Sequence, residues 1–221
     1  MASYELPESF ETPEERRERK NNEKFQALGK FVQAFELMVA EVRDTCRDLV
    51  SDDQANRKLL DTILHHRVLT AQPLFEVMRA LYAERLLGAD SDVVEAEREA
   101  ISSVLTQLAT EYQDLVKRRN SVVHGTWLIG WVNMTAESVV RELFVQKKKV
   151  TGKGLADEDL PKDVKDLQDL TKQCNDVKLL IAALYQNFSM FGRITNALRQ
   201  VDGVWIYTPL DERPDEEEIS P

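Results

Sequence analysis

Apolar side chains recur every three or four residues over four long stretches of the chain. This spacing is typical of helices that bury one face and expose the other. The stretches cover residues 25–49, 54–87, 90–124 and 160–203. The sequence therefore predicts a mainly all-α protein, an antiparallel bundle of four to five long helices.

Two of the predicted helices carry details that the structure can test. The apolar stripe of the first helix begins at Phe25 and ends with Leu49. Pro73 falls inside the second helix, where a proline removes one hydrogen bond and kinks or splits the helix. We expect the last helix to end near Gly203, after which residues 204–207 would add a short strand.

The segment after Gly125 differs in composition from the predicted helices. Residues 126–132 are aromatic and β-branched, and residues 138–150 are partly so. This composition favours a small β-hairpin insertion after the third helix, at about residues 126–150, packed on one end of the bundle. A short helix over residues 136–148 is the alternative.

Composition sets the outline of the molecule. The 221 residues, 43% hydrophobic and 31% charged, are enough for one substantial core. We predict a flexible charged arm over residues 1–22, one helical domain over 23–208 and an acidic disordered tail over 209–221. Neither a membrane span nor a signal peptide is recognisable, so we expect a cytoplasmic protein without membrane contact.

The net charge of −10 argues against a long nucleic-acid track, because phosphate affinity depends on Lys and Arg. Six acidic residues and one arginine lie from Asp211 onward, so half of the excess charge sits on the predicted tail. A small anion site on the domain stays compatible with this balance. Cys46 and Cys174 fall on apolar stripes and are interpreted as buried thiols.

Arg119 interrupts the apolar stripe of the third helix. Upstream of it, the stripe residues step by four and three: Ile101, Leu105, Leu108, Tyr112 and Leu115. The same spacing next reaches Arg119 and Val122, so a guanidinium points where a leucine would be expected. A buried unpaired charge is strongly destabilising, and we therefore expect an anionic partner, a polar cavity or a subunit groove for Arg119.

Asn120 and His124 follow Arg119 closely, and Gly125 is typical of a helix C-cap. At about 100° per residue, Asn120 and His124 share one helix face, whereas Arg119 and His124 lie about 140° apart. Either the helix loosens at its end, or a second copy of the chain completes the groove. A lone histidine is more often a capping or core residue, but the polar neighbours here favour a functional one.

Other catalytic chemistries lack a pattern in this chain. His65 and His66 are adjacent and face different directions, and no metal-ligand spacing is present. Residues 151–154 are too short for a phosphate-binding loop, and both cysteines are expected to be buried. No metal and no cofactor are predicted.

The stretch from Arg119 to His124 resembles the Arg-Asn-x-x-x-His signature of the HEPN superfamily of helical domains, near the end of a helix and before Gly125. The order of helices over about residues 25–200 is also similar. The resemblance implies a homodimer in which two motifs converge in one cleft, and in many members a metal-independent endoribonuclease. Several members are toxins or act in phage defence, with a cognate antitoxin or regulatory protein as partner.

Carried over to this chain, the resemblance makes Arg119, His124 and Asn120 catalytic. Arg119 would hold the RNA phosphate, His124 would act as general acid or base, and Asn120 would orient one of them. The substrate-binding residues would be Lys117, Arg118 and Ser121. The alternative function is a non-catalytic HEPN-like module for dimerisation or for nucleotide or partner binding, which the acidic composition favours. A structural subunit whose acidic tail docks to a larger assembly is a third interpretation.

Overall fold

The computed structural model describes residues 12–50, 62–65, 69–87, 95–127, 145–146, 148–151, 154–157, 161–191, 194 and 197–208. Four long helices dominate this part of the chain, in agreement with the predicted fold class. Several predicted features lie outside the described residues: the first part of the arm, residues 54–61, the helix caps at 90–92 and the acidic tail. Most of the alternative helix over 136–148 also lies outside them, and its residues 145, 146 and 148 belong to strands. Within the described residues, no helix is both long and apolar enough to cross a membrane.

The first helix, α1, spans Pro13–Val50 and so includes the second part of the predicted arm. Its start is a capping box: the Glu15 backbone N–H donates to Thr12 Oγ1, and the Thr12 N–H donates to Glu15 Oε2 at 2.8 Å. The buried face includes Phe31 and Met38, but Phe25 is 57% exposed. The prediction that the stripe begins at Phe25 is therefore wrong, because Ala27 holds the buried position there, facing the start of the last long helix.

The second long helix, α2, spans Ala71–Leu87, and the prediction of one helix from residue 54 to 87 is wrong. Residues 62–64 are helical, but residues 69–70 are not. Pro73 is the third residue of α2, where a backbone N–H has no partner within the helix. The chain just before this turn is not helical, so the predicted split of the helix near Pro73 is confirmed. The first backbone bond of α2 follows directly, from the Leu74 N–H to the Thr70 carbonyl at 3.0 Å.

The third long helix, α3, spans Glu95–His124, and its predicted stripe is confirmed. The five stripe residues from Ile101 to Leu115 are buried, as is Val122. Gly125 follows the last helical residue, as the sequence predicted.

Short antiparallel strand pairs follow α3. β1 (Thr126–Trp127) pairs with β2 (Val145–Gln146), and β3 (Lys148–Thr151) pairs with β4 (Gly154–Asp157). Strands thus occur at both ends of the predicted insertion, and a second pair extends beyond it.

The last long helix, α4, spans Val164–Phe191, and its predicted end near Gly203 is wrong. A hairpin replaces the expected last turns: β5 (Leu198–Val201) pairs with β6 (Val204–Tyr207), which confirms the strand predicted at 204–207. Asp202 and Gly203 connect them with φ angles of 52° and 81°. Asp-Gly with two positive φ angles is the preferred two-residue hairpin turn, and it stops any helix at this position.

One core joins the four helices. α1 packs against α2 and α4, and α3 packs against the same two helices. Tyr112 of α3 stacks on Phe75 of α2 with ring centroids 4.5 Å apart. Cys46 and Cys174 are free and buried, as predicted, and burial raises the pKa of each thiol to about 12.

Candidate functional site

The predicted motif occupies the last two turns of α3. The helix remains an α-helix through His124, so it does not loosen before its end. Asn120 and His124 are both exposed and lie one turn apart on the same face. Because the helix is regular, the Arg119 and His124 side chains leave it about 140° apart. Within one chain they diverge.

Arg119 has the anionic partner that its position on the stripe required. Its Nη2 lies 3.2 Å from Glu36 Oε1 on α1, and its Nη1 donates to Asn120 Oδ1 at 3.4 Å. The guanidinium carbon lies 5.5 Å from the centre of the Phe35 ring, also on α1. The guanidinium is therefore held between a carboxylate and an aromatic ring at the seam of α1 and α3.

The Arg119–Glu36 pair is only partly shielded from solvent. The Arg119 side chain is 27% exposed and that of Glu36 is 56% exposed. The Nε atom of Arg119 is buried and has no hydrogen-bond partner among the described residues. One edge of the guanidinium thus lies against protein without compensation, while the opposite edge faces Glu36 and solvent.

The predicted substrate-binding residues do not form one surface. The Arg118 Nε donates to Asp114 Oδ2 at 2.6 Å, one turn earlier on the same helix. Lys117 is exposed, whereas Ser121 is buried and cannot contact a surface ligand without movement of the helix. Only Lys117, and in part Arg118, remain open toward solvent.

His124 is exposed at the end of α3, and its side chain makes no hydrogen bond or ion pair within the described part of the chain. Val123 beside it is an exposed apolar side chain. Asn120, Val123 and His124 thus present a mixed polar and apolar surface at this end of the bundle.

Glu36 is the residue of this site that sequence reasoning missed. It lies 83 positions before Arg119 and occupies an exposed position of α1. The stripe of α3 predicted an anionic partner, a polar cavity or a subunit groove for Arg119, and only the packing of α1 against α3 determines that Glu36 is the partner. No group of three His, Cys, Asp or Glu side chains within the described ranges is arranged to hold a metal ion.

No protein-family model, curated protein or solved structure matches this chain. The resemblance to the HEPN superfamily therefore depends on the motif and the helical architecture of this chain alone.

Proposed function

We propose that the chain is a metal-independent endoribonuclease of the HEPN type that acts as a homodimer. The observation that carries this proposal is the placement of Arg119, Asn120 and His124 at one end of α3, with His124 and Asn120 exposed and Arg119 partly so. A guanidinium that can bind a phosphate and an imidazole that can move a proton are the two groups that cleavage by the ribose 2′-OH needs.

The divergence of Arg119 and His124 supports a site shared between two chains. In a twofold dimer, the Arg119 of one subunit can face the His124 of the other across the axis. The exposed Val123 between Asn120 and His124 gives this surface an apolar contact. Within a single chain, a regular helix directs the two side chains away from each other.

The reaction transfers a phosphoryl group within the RNA strand. The ribose 2′ oxygen bonds to the adjacent phosphorus while the bond from phosphorus to the 5′ oxygen breaks. His124 accepts the 2′-OH proton, and the imidazolium so formed returns this proton to the departing 5′ oxygen. The products are a cyclic phosphate and a 5′-OH end, and Arg119 stabilises the charge on the phosphate oxygens during the step.

Purified protein incubated with mixed RNA in EDTA tests this proposal. We expect cleavage that survives chelation and falls by about 100-fold or more in Arg119→Ala and in His124→Ala. Arg79→Ala is the matched control, since it removes an arginine of the neighbouring helix α2 that pairs with Glu76 of the same helix. Absence of cleavage by the wild-type chain, or wild-type cleavage by the Arg119→Ala or the His124→Ala protein, would contradict the proposal.

Mixing the two inactive variants tests the shared site. An equimolar mixture of Arg119→Ala and His124→Ala contains heterodimers with one intact site, so we expect recovery of about a quarter of wild-type activity if subunits exchange freely. Sedimentation of the mixture verifies that it is dimeric. No recovery from a dimeric, exchanging mixture would place the site within one chain.

A non-catalytic dimerisation or nucleotide-binding module is the second candidate function. The Arg119–Glu36 contact favours it, because the guanidinium already has an anion in the chain and serves packing without any substrate. In that case Arg119→Ala changes dimer affinity or nucleotide affinity, measured by sedimentation and calorimetry, and RNA stays intact.

A further inference from the structure

A second polar region lies on α3, about one to three turns before the motif. A cavity of about 670 Å³ opens there between α3, α4 and β6. This volume lies within the range of pockets that hold small organic molecules. Its apolar wall includes two exposed side chains, Leu179 of α4 and Val204 of β6, together with Val177 and Leu180.

The wall formed by β6 is held in place by one amide side chain. The Trp205 backbone N–H donates to Gln107 Oε1 at 2.7 Å, and Gln107 Nε2 donates to the Trp205 carbonyl at 3.0 Å. The Trp205 indole N–H also donates to Ser103 Oγ at 3.0 Å. The Gln107 amide therefore pairs with the outer edge of the hairpin as a neighbouring strand would, which fixes the cavity open.

The charged groups of this cavity are mostly of one sign. Glu111 on α3 and Asp176 on α4 belong to facing walls, and Asp114 and Lys172 also line the space. Arg118 engages Asp114, so this carboxylate is matched within the chain. Lys172 is the one ammonium on the lining, one turn before Asp176.

The position of Glu111 in this cavity shifts the pKa of its carboxyl. Burial raises the pKa of the Glu111 carboxyl, the hydrogen bond from Gln107 lowers it, and the charge of Asp176 raises it further. The pKa of Glu111 is raised because the loss of solvent and the charge of Asp176 together outweigh the hydrogen bond from Gln107.

We propose that this cavity binds a small organic cation, with an amine or guanidine group between Glu111 and Asp176 and an apolar body against Leu179 and Val204. The cation relieves the repulsion between the two carboxylates, and the apolar body covers side chains that are otherwise exposed to water. Phosphate-bearing ligands are repelled by the same carboxylates, so this site takes a different class of ligand from the motif at the end of α3.

Phenethylamine and phenethyl alcohol are suitable probes, because they share an apolar body and differ in the cationic group. Titrations of the ¹⁵N-labelled full chain would follow the Trp205 indole resonance, assigned by its absence from Trp205→Phe. We expect saturable shifts with the amine and an affinity about tenfold above that for the alcohol, the effect of one charge-assisted hydrogen bond.

The double variant Glu111→Gln/Asp176→Asn locates the effect. We expect it to remove the preference for the amine, whereas the control Asp169→Asn, an exposed carboxylate of α4 outside the cavity, retains it. A thermal melt verifies that each variant is folded. Equal binding of amine and alcohol, no saturable binding of the amine, or an equal loss in Asp169→Asn would overturn the proposal.

Discussion

The middle and the end of α3 both carry charged side chains beside the core, but they differ in whether a side chain of opposite charge neutralises those charges. At the end of the helix, the Arg119 guanidinium meets the Glu36 carboxylate of α1 at 3.2 Å. In the middle, Glu111 and Asp176 present like charges to one cavity, and only an amide hydrogen bond lowers the pKa of Glu111. At the end of α3, a side chain of opposite charge pairs with the charged group. In the middle of α3, the two facing carboxylates have the same charge.

The two regions therefore indicate a functional site for different physical reasons. A matched charge such as Arg119 is explained in part by packing, so its functional role depends on the exposed Asn120 and His124 beside it. An unmatched pair of carboxylates has no such packing role, since like charges across a cavity only weaken the fold.

The largest expected effect comes from Arg119→Leu, which restores the apolar stripe of α3. Under the proposed function we expect RNA cleavage to fall by about 100-fold or more. The free energy of unfolding should stay within about 1 kcal/mol of wild type, because a half-exposed ion pair contributes little and leucine suits the stripe. Cleavage assays and urea denaturation measure the two quantities.

Arg79→Leu is the control for this change, since it breaks the exposed Arg79–Glu76 pair and leaves the motif intact. Cleavage by Arg119→Leu at the level of this control would show that Arg119 serves packing alone.

Gln107→Leu should destabilise the cavity region by about 2 kcal/mol, because the Trp205 N–H and carbonyl both lose their partner. Hydrogen exchange at the Trp205 amide should accelerate more than exchange in the core of α3. Gln113→Leu replaces an exposed glutamine of the same helix and should leave both quantities near wild type. Unchanged exchange at Trp205 in Gln107→Leu would mean that this amide does not hold the hairpin.

Glu36→Gln would remove the carboxylate that pairs with the Arg119 guanidinium. A phosphate bound to Arg119 has to compete with the Glu36 carboxylate, so we expect the affinity for single-stranded RNA to rise by about two- to tenfold. Fluorescence anisotropy in the His124→Ala background measures binding without cleavage.

Glu23→Gln is the matched control, because it weakens the exposed Arg19–Glu23 pair on the same helix by the same change of charge. An equal gain in affinity in both variants would indicate a general effect of net charge rather than competition at Arg119.

Glu111→Gln should give the smallest effect, an increase of less than about 1 kcal/mol in the free energy of unfolding at pH 7. The folded state raises the pKa of Glu111 above its ordinary value of 4.5, so the ionised carboxylate opposes folding at pH values above the raised pKa. Below 4.5 the group is protonated in both states, and the advantage of glutamine disappears.

Denaturation curves at several pH values would follow this trend. Glu84→Gln, at an exposed position of α2, removes the same charge outside the cavity and serves as control. A benefit of Glu111→Gln that grew as the pH fell would contradict the assignment.

Periodicity alone predicted the parts of the fold that depend on one helix. The stripe from Ile101 to Leu115 is buried, and α3 ends before Gly125. The same reasoning failed where a helix met a boundary that spacing does not encode. Pro73 is compatible with the first turn of α2 as well as with a break inside a longer helix, so it does not give the position of the boundary. Asp202-Gly203 is a strong hairpin signal, but apolar spacing alone predicts that the last helix continues to Gly203.

The site was predictable only in part for a related reason. The α3 stripe alone identified Arg119 as a charge that needs an anion, but Glu36 follows from how α1 and α3 pack. Glu111 and Asp176 occupy positions typical of solvated helix faces. The hairpin completes the cavity that they line, and the spacing of residues along either helix contains no information about it.

The start of α2 has a consequence for the motif. The Tyr112 hydroxyl of α3 donates to the Ala71 carbonyl at 3.2 Å, and the Cys46 thiol of α1 lies 3.8 Å from the Leu74 carbonyl. Two different helices are thus anchored to a single turn of a third, which limits how far they can slide past each other along their lengths. The distance between Arg119 and Glu36 consequently depends on the axial alignment of α1 and α3, which this turn of α2 fixes.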